Sequence, residues 1–123
     1  MKVTVRLTNN FKSELKPLLK RYPSLPKDLF KLETELIENP RIGISLGKDA
    51  FKIRLLITSK GKGKRGGARI ITLVESVAIG IVEQTSSQEF TVNLLSIYDK
   101  SDMTNISDKE LKELLKDFYN QKE

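Results

Sequence analysis

The chain opens on an alternation. Val3, Val5 and Leu7 fall on one side of residues 2–8 and Lys2, Thr4 and Arg6 on the other, a period of two that predicts a short edge-type strand. Asn9 and Asn10 follow as candidate helix N-caps. Phe11, Leu15, Leu18 and Leu19 then recur at helical spacing, with Pro17 inside the pattern predicting a kink or a late helix start. Tyr22-Pro23-Ser24-Leu25-Pro26 is a break, after which Leu29, Leu32, Leu36 and Ile37 form a second helical stripe that Asn39-Pro40 ends. These two helices are expected to pair antiparallel across their short connection.

Residues 41–49 follow Pro40, carry Gly43 and Gly47, and read as loop. From Phe51 the period returns to two: Phe51, Ile53 and Leu55 alternate with Lys52, Arg54 and Leu56. Further strand texture runs over residues 68–74, resumes at 77–82, and returns at 90–98 after the turn-like Thr85-Ser86-Ser87-Gln88. Ser107 followed three residues later by Glu110 is a capping-box pattern, and Leu111, Leu114, Leu115 and Phe118 make a last amphipathic helix. The pattern predicts a single α+β domain over residues 1–123: an N-terminal strand and helical hairpin packed on one face of an antiparallel sheet, then a C-terminal helix.

Composition narrows the chemistry. The chain has no cysteine and no histidine, which excludes disulfides, thiolate metal sites and any Ser-His or Cys-His nucleophile pair. Any acid–base work would fall to Lys, Arg, Tyr, Asp or Glu. Glu33, Glu35 and Glu38 read as solvated partners of nearby lysines, and no carboxylate cluster has metal-ligand spacing, so no metal and no cofactor are expected. The polar opening MKVTVRLTNN and the lack of a long apolar run lead us to expect a soluble, cytoplasmic protein with no membrane partner.

Charge adds a location. The net charge is +6, and residues 51–74 hold seven cations (Lys52, Arg54, Lys60, Lys62, Lys64, Arg65 and Arg69) and no Asp or Glu. Such a local single-sign patch attracts phosphate backbones. Lys52 and Arg54, two apart on a strand, share a face. Arg69 alternates with Ile70 and is placed to join them, and Tyr98 and Lys100 lie two apart where the last strand ends. Bland readings stand beside this one: alternating cations on a strand describe a solvated face, residues 60–67 a plain hairpin connection, and Tyr98 a boundary-packing aromatic. The Lys-Gly loop lacks the Walker spacing and the following helix, so nucleotide binding is rejected.

The order of several segments carries a resemblance. Lys20-Arg21-Tyr22-Pro23-Ser24-Leu25, Glu38-Asn39-Pro40, Leu46-Gly47, Phe51-Lys52-Ile53-Arg54-Leu55, residues 59–70 with the run Gly66-Gly67-Ala68-Arg69, and Leu95-Ser96-Ile97-Tyr98-Asp99-Lys100 together resemble the RelE/ParE superfamily of bacterial toxins, and within it the HigB-like subgroup. The resemblance implies a RelE-like fold and a type II toxin that cleaves mRNA on the ribosome. Its implied partners are mRNA, the ribosome and a cognate antitoxin, often a helix-turn-helix protein in the HigB-like subgroup. By position it implies an active face of Lys52, Arg54 and Arg69, with Lys100 after the last strand. The C-terminal tyrosine of RelE-type toxins falls at Ile106 here, which leaves Tyr98 as a substitute. Lys60, Lys62, Lys64 and Arg65 are expected to contact RNA backbone. Three alternatives remain: a ParE-like gyrase inhibitor, a non-catalytic RNA-binding module, and a degenerate toxin that only binds its antitoxin.

Overall fold

A computed structural model describes residues 1–61, 66–79, 87–103 and 105–121 of the chain. The elements are β1 (Lys2–Leu7), α1 (Asn9–Arg21), α2 (Leu25–Glu38), β2 (Ile44–Gly47), β3 (Ala50–Leu55), a 3₁₀ turn (Thr58–Lys60), β4 (Ala68–Ile79), β5 (Ser87–Asp99) and α3 (Asp108–Gln121). The five strands form one sheet in the order β1-β5-β4-β3-β2. The sheet is mixed and not antiparallel as expected: β1 runs parallel to β5, because α1 and α2 carry the chain away from β1 before the strands resume.

The helices occupy both faces, where the sequence pattern placed them on one. Phe11, Leu15 and Leu18 of α1 and Leu25, Leu32 and Leu36 of α2 pack on Phe51, Ile53, Leu55, Ile70, Val92, Leu94 and Ile97. On the opposite face Leu115, with the half-buried Leu111, Leu114 and Phe118 of α3, covers Ala50, Ile71, Leu73 and Leu95. Ile71, Leu73 and Leu95 lie between positions that serve the first face. A central strand with a layer on each side is apolar on both parities, so the two-sided core is written into β4 as Ile70-Ile71 and into β5 as Leu94-Leu95.

Residues 41–49, read as loop, contain β2. Lys48 (φ 54°) and Asp49 (φ 63°) both adopt the left-handed region and close a two-residue hairpin between Gly47 and Ala50. Positive φ at both turn positions matches the right-handed twist of the flanking strands. Lys-Asp lacks the glycine that usually announces such a turn. The break read between residues 74 and 77 is also absent: β4 is continuous through Ile79. Ser87 and Gln88, read as turn, are the first residues of β5, and residues 80–86 lie outside the described residues.

Leu95 is one residue too many. β4 and β5 pair Ile71 with Ser96 and then Thr72 with Leu94, so Leu95 has no opposite number and β5 bulges. The bulge reverses which side chains face which layer, since Leu94 and Ile97, three apart, both sit under α1 and α2. Helix α1 holds it. Its N-cap is Thr8, one residue before the expected asparagines: the Thr8 hydroxyl accepts from the Phe11 amide (3.2 Å) and donates to the Leu94 carbonyl (2.9 Å). Asn10 Nδ2 donates to the Leu95 carbonyl at 2.9 Å. One turn on, Glu14 Oε1 accepts from the Ser96 hydroxyl (2.7 Å) and the Ile97 amide (3.3 Å). The first two turns of α1 thus serve the edge of β5 that β1 no longer covers. Pro17 neither delays nor splits α1; it sits on the exposed side of the helix.

The capping box is present: Glu110 N–H donates to the Ser107 hydroxyl and Ser107 N–H to the Glu110 carboxylate, both at 3.1 Å. Among the described residues no helix is long and apolar enough to cross a membrane.

Glu14→Ala is expected to destabilise the protein by about 1–3 kcal/mol, because it leaves a hydroxyl and a strand amide unpaired at the bulge. Lys12→Ala, on the exposed side of the same helix, should change stability by less than about 0.5 kcal/mol. Urea unfolding of the two variants decides; equal midpoints would mean the bulge does not depend on α1.

Candidate functional site

The bulge sets up the basic face. With Ile97 turned under α1, Tyr98 turns to the α3 side and pairs across the strands with Arg69, which itself pairs with Arg54. Lys52, opposite Ile71, lies one step along β3 on the same face. Lys52, Arg54, Arg69 and Tyr98, chosen from sequence on three separate segments, therefore form one row across β3, β4 and β5. Arg54 is exposed and Lys52 half-buried, while Arg69 is 5% exposed and Tyr98 7%. Lys100 is half-buried on the turn after β5, its amide donating to the Gly67 carbonyl at 3.0 Å.

The run Gly66-Gly67-Ala68-Arg69 has a steric reason. A Cβ on Gly67 would stand 1.9 Å from the Leu55 carbonyl oxygen, and Ala68 is fully buried, so only small residues let β4 begin beside the end of β3. Arg69 is the first residue of that strand with room for a long side chain.

Burial, and then the neighbouring Arg54 guanidinium, push Arg69 below the ordinary arginine value. Its Nη1 donates to the Ala68 carbonyl at 3.1 Å. Like charges opposite each other on neighbouring strands repel, and two guanidinium forks side by side suit an oxyanion. Burial also raises the Tyr98 phenol, outweighing the lowering by the Ile106 amide and Arg69, and Glu110 raises it further. Tyr98 thus stays protonated at neutral pH, so it suits donation of a hydrogen bond or proton. Acceptance of a proton would require a lowered value, which the burial overrides. The hydroxyl lies against the Ile106 amide without a well-formed hydrogen bond among the described residues.

Lys60 is not with these cations. Its side chain is 8% exposed and its ammonium sits 2.6 Å from Asp99 Oδ1 and 2.8 Å from the Ser101 hydroxyl, over the Tyr22 ring. Lys62, Lys64 and Arg65 lie outside the described residues.

The partner of Lys60 is the polar centre that sequence reading missed. Asp99 is 1% exposed and also accepts from Arg21 Nη1 (2.9 Å), the Tyr22 hydroxyl and the Ser101 amide (2.9 Å). Burial would raise its carboxyl; the bonds from Lys60, Tyr22 and Ser101 overcome that and hold it well below the usual carboxylate range. Tyr22 and Asp99 both lie in segments that carry the family resemblance, and their order there was the one available signal. Neither residue has a periodicity that marks it as buried and polar.

Among the described residues no three His, Cys, Asp or Glu side chains converge to hold a metal ion. No protein-family model matches the chain, and no solved structure matches it significantly.

Asp99→Asn should cost about 3–5 kcal/mol at neutral pH, since it leaves Lys60 buried without its counter-charge. A carboxyl held low in the folded state stabilises above its unfolded value, about pH 4, and that contribution fades as pH falls below it. Wild-type stability should therefore drop more steeply from pH 5 to pH 3 than that of Asp99→Asn. Parallel acid slopes would show that the knot is not the titrating element.

Proposed function

We propose that the chain is a metal-independent endoribonuclease, the toxin of a type II toxin–antitoxin pair with a RelE-like fold, and that it cleaves mRNA on the ribosome. The observation that carries this reading is the cross-strand row Arg54-Arg69-Tyr98 with Lys52 beside it: two adjacent guanidinium groups and a protonated phenol on one face. Three sequence segments supply it, in the order the resemblance expects. The five-stranded sheet with its α1-α2 hairpin agrees with that family at the level of architecture only.

The row suits 2′-hydroxyl attack. Arg54 and Arg69 hold the scissile phosphate and neutralise the charge that builds on its oxygens. Lys52 takes the proton of the 2′-hydroxyl as that oxygen bonds to phosphorus. The bond to the 5′-oxygen breaks, and this oxygen leaves with a proton donated by Tyr98 or Lys100. The products are a 2′,3′-cyclic phosphate and a 5′-hydroxyl. The partner that silences the protein is a cognate antitoxin with an acidic segment facing the basic row.

A second reading has its own observation. Arg69 and Tyr98 are nearly inaccessible, which suits a binding-only domain whose basic row is structural.

Primer extension on message in translating ribosomes tests the two, with Arg69→Ala as the comparison. Discrete cuts within the coding region, reduced at least about 100-fold in Arg69→Ala, are expected, as for loss of one oxyanion donor. Uncut message under both proteins would leave the binding-only reading, or gyrase inhibition if trapped DNA breaks appear.

A further inference from the structure

If the row acts on RNA, as proposed, an RNA backbone has to reach Arg69 and Tyr98, which are 5% and 7% exposed. Among the described residues, one stretch of chain lies against Lys52 and Tyr98 in this row. Asn105 Oδ1 accepts from Lys52 Nζ at 3.0 Å, and the backbone of Ile106 lies against the Tyr98 hydroxyl. The side chain of Ile106 joins Leu111, Leu114, Leu115 and Phe118 in the apolar patch over Ala50, Ile71, Leu73 and Leu95.

This covering belongs to the least anchored α-helix described. α1 buries Phe11, Leu15 and Leu18, and α2 buries Leu25, Leu32 and Leu36, whereas α3 buries Leu115 alone. Segments with few buried apolar contacts open at the lowest free energy. α3 also carries its own N-terminal support. The reciprocal Ser107–Glu110 bonds are internal to it, and Asp108 and Glu110 lie in its first turn, where negative charge favours the helix. Leaving the sheet costs α3 its apolar contacts but none of its capping.

The closed state has a defect that opening removes. It holds the Tyr98 hydroxyl buried against the Ile106 amide without a well-formed hydrogen bond, a geometry that water or a phosphate oxygen would improve on. It also ties Lys52 to a neutral amide oxygen, for which an anionic phosphate oxygen is the stronger acceptor.

We propose that Asn105–Ser107 and α3 form a lid over the basic row, which undocks as an intact helix to admit a single-stranded RNA backbone. RNA then selects the open state, since only there do Arg69 and Tyr98 meet phosphate. The inference rests on the ribonuclease reading for what enters the site, but not for the motion itself.

Arginine modification with p-hydroxyphenylglyoxal, read residue by residue by mass spectrometry, tests the motion in the full chain. In the wild type Arg54 should react quickly and Arg69 slowly. Leu115→Asp places a charge in the apolar patch and should free α3. Hydrogen exchange should then show α3 amides unprotected while β4 and β5 amides remain protected, which separates undocking from unfolding. Under those conditions Arg69 should react at least about tenfold faster, in proportion to the open population. If a single charge leaves α3 protected, Leu111→Asp/Leu115→Asp is read the same way. Arg69 that stays slow while α3 amides exchange freely would overturn the lid. Unmasked Arg69 in a protein that leaves message uncut would keep the lid and remove the ribonuclease; cut message with Arg69 shielded in every variant would do the reverse.

Discussion

At Leu95 strand β5 carries one residue more than its partner, and Thr8, Asn10 and Glu14 of the first helix hold that surplus in place. Side chains on a strand alternate with a period of two, so one inserted residue exchanges the faces of everything beyond it. Without it Ile97 and Asp99 would point at α3, and Tyr98 would point into the core beneath α1. With it Ile97 completes that core, Asp99 comes within reach of Arg21, Tyr22 and Lys60, and Tyr98 stands beside Arg69. One irregularity therefore decides both the buried ionic centre and the basic row.

The two centres sit back to back on adjacent residues of β5 and follow opposite electrostatic logic. Asp99 is a buried charge whose hydrogen bonds are provided within the chain, and its charged form is favoured in spite of burial. It joins the end of α1, the 3₁₀ turn and the end of β5, elements far apart in sequence. Arg69 is a buried charge beside another of the same sign, so its charged form is disfavoured. A centre of the first kind holds a fold together, whereas one of the second kind is a place where burial and like charge meet. Lys60 belongs to the first kind although it arises from the basic run that suggests the second.

The helices divide in the same way. α1 and α2 are anchored through three buried side chains each, and α1 is further tied to the β5 edge by hydrogen bonds. α3 covers the other face lightly and with its capping self-contained. One face of the sheet is thus covered firmly and the other lightly.

Much of this was legible along the chain. The period-two segments at β1 and β3, the helical stripes, and the Ser107–Glu110 capping box depend on neighbours within a few residues, and local sequence decides those. The grouping of Lys52 with Arg54 follows from strand parity alone. The hairpin at Lys48-Asp49 escaped, because its left-handed backbone is imposed by the pairing of β2 with β3 and not by residues that prefer it. The parallel pairing of β1 with β5, the placement of α3 on the second face, and the bulge at Leu95 were decided by tertiary structure. Each concerns how distant segments meet, and the hydrogen bonds that stabilise the bulge come from a helix more than eighty residues earlier. For the same reason the sequence by itself determined which residues are basic and which strands carry them. Only the folded chain determined that Lys60 turns inward to Asp99, while Arg69 and Tyr98 meet on one face of the sheet.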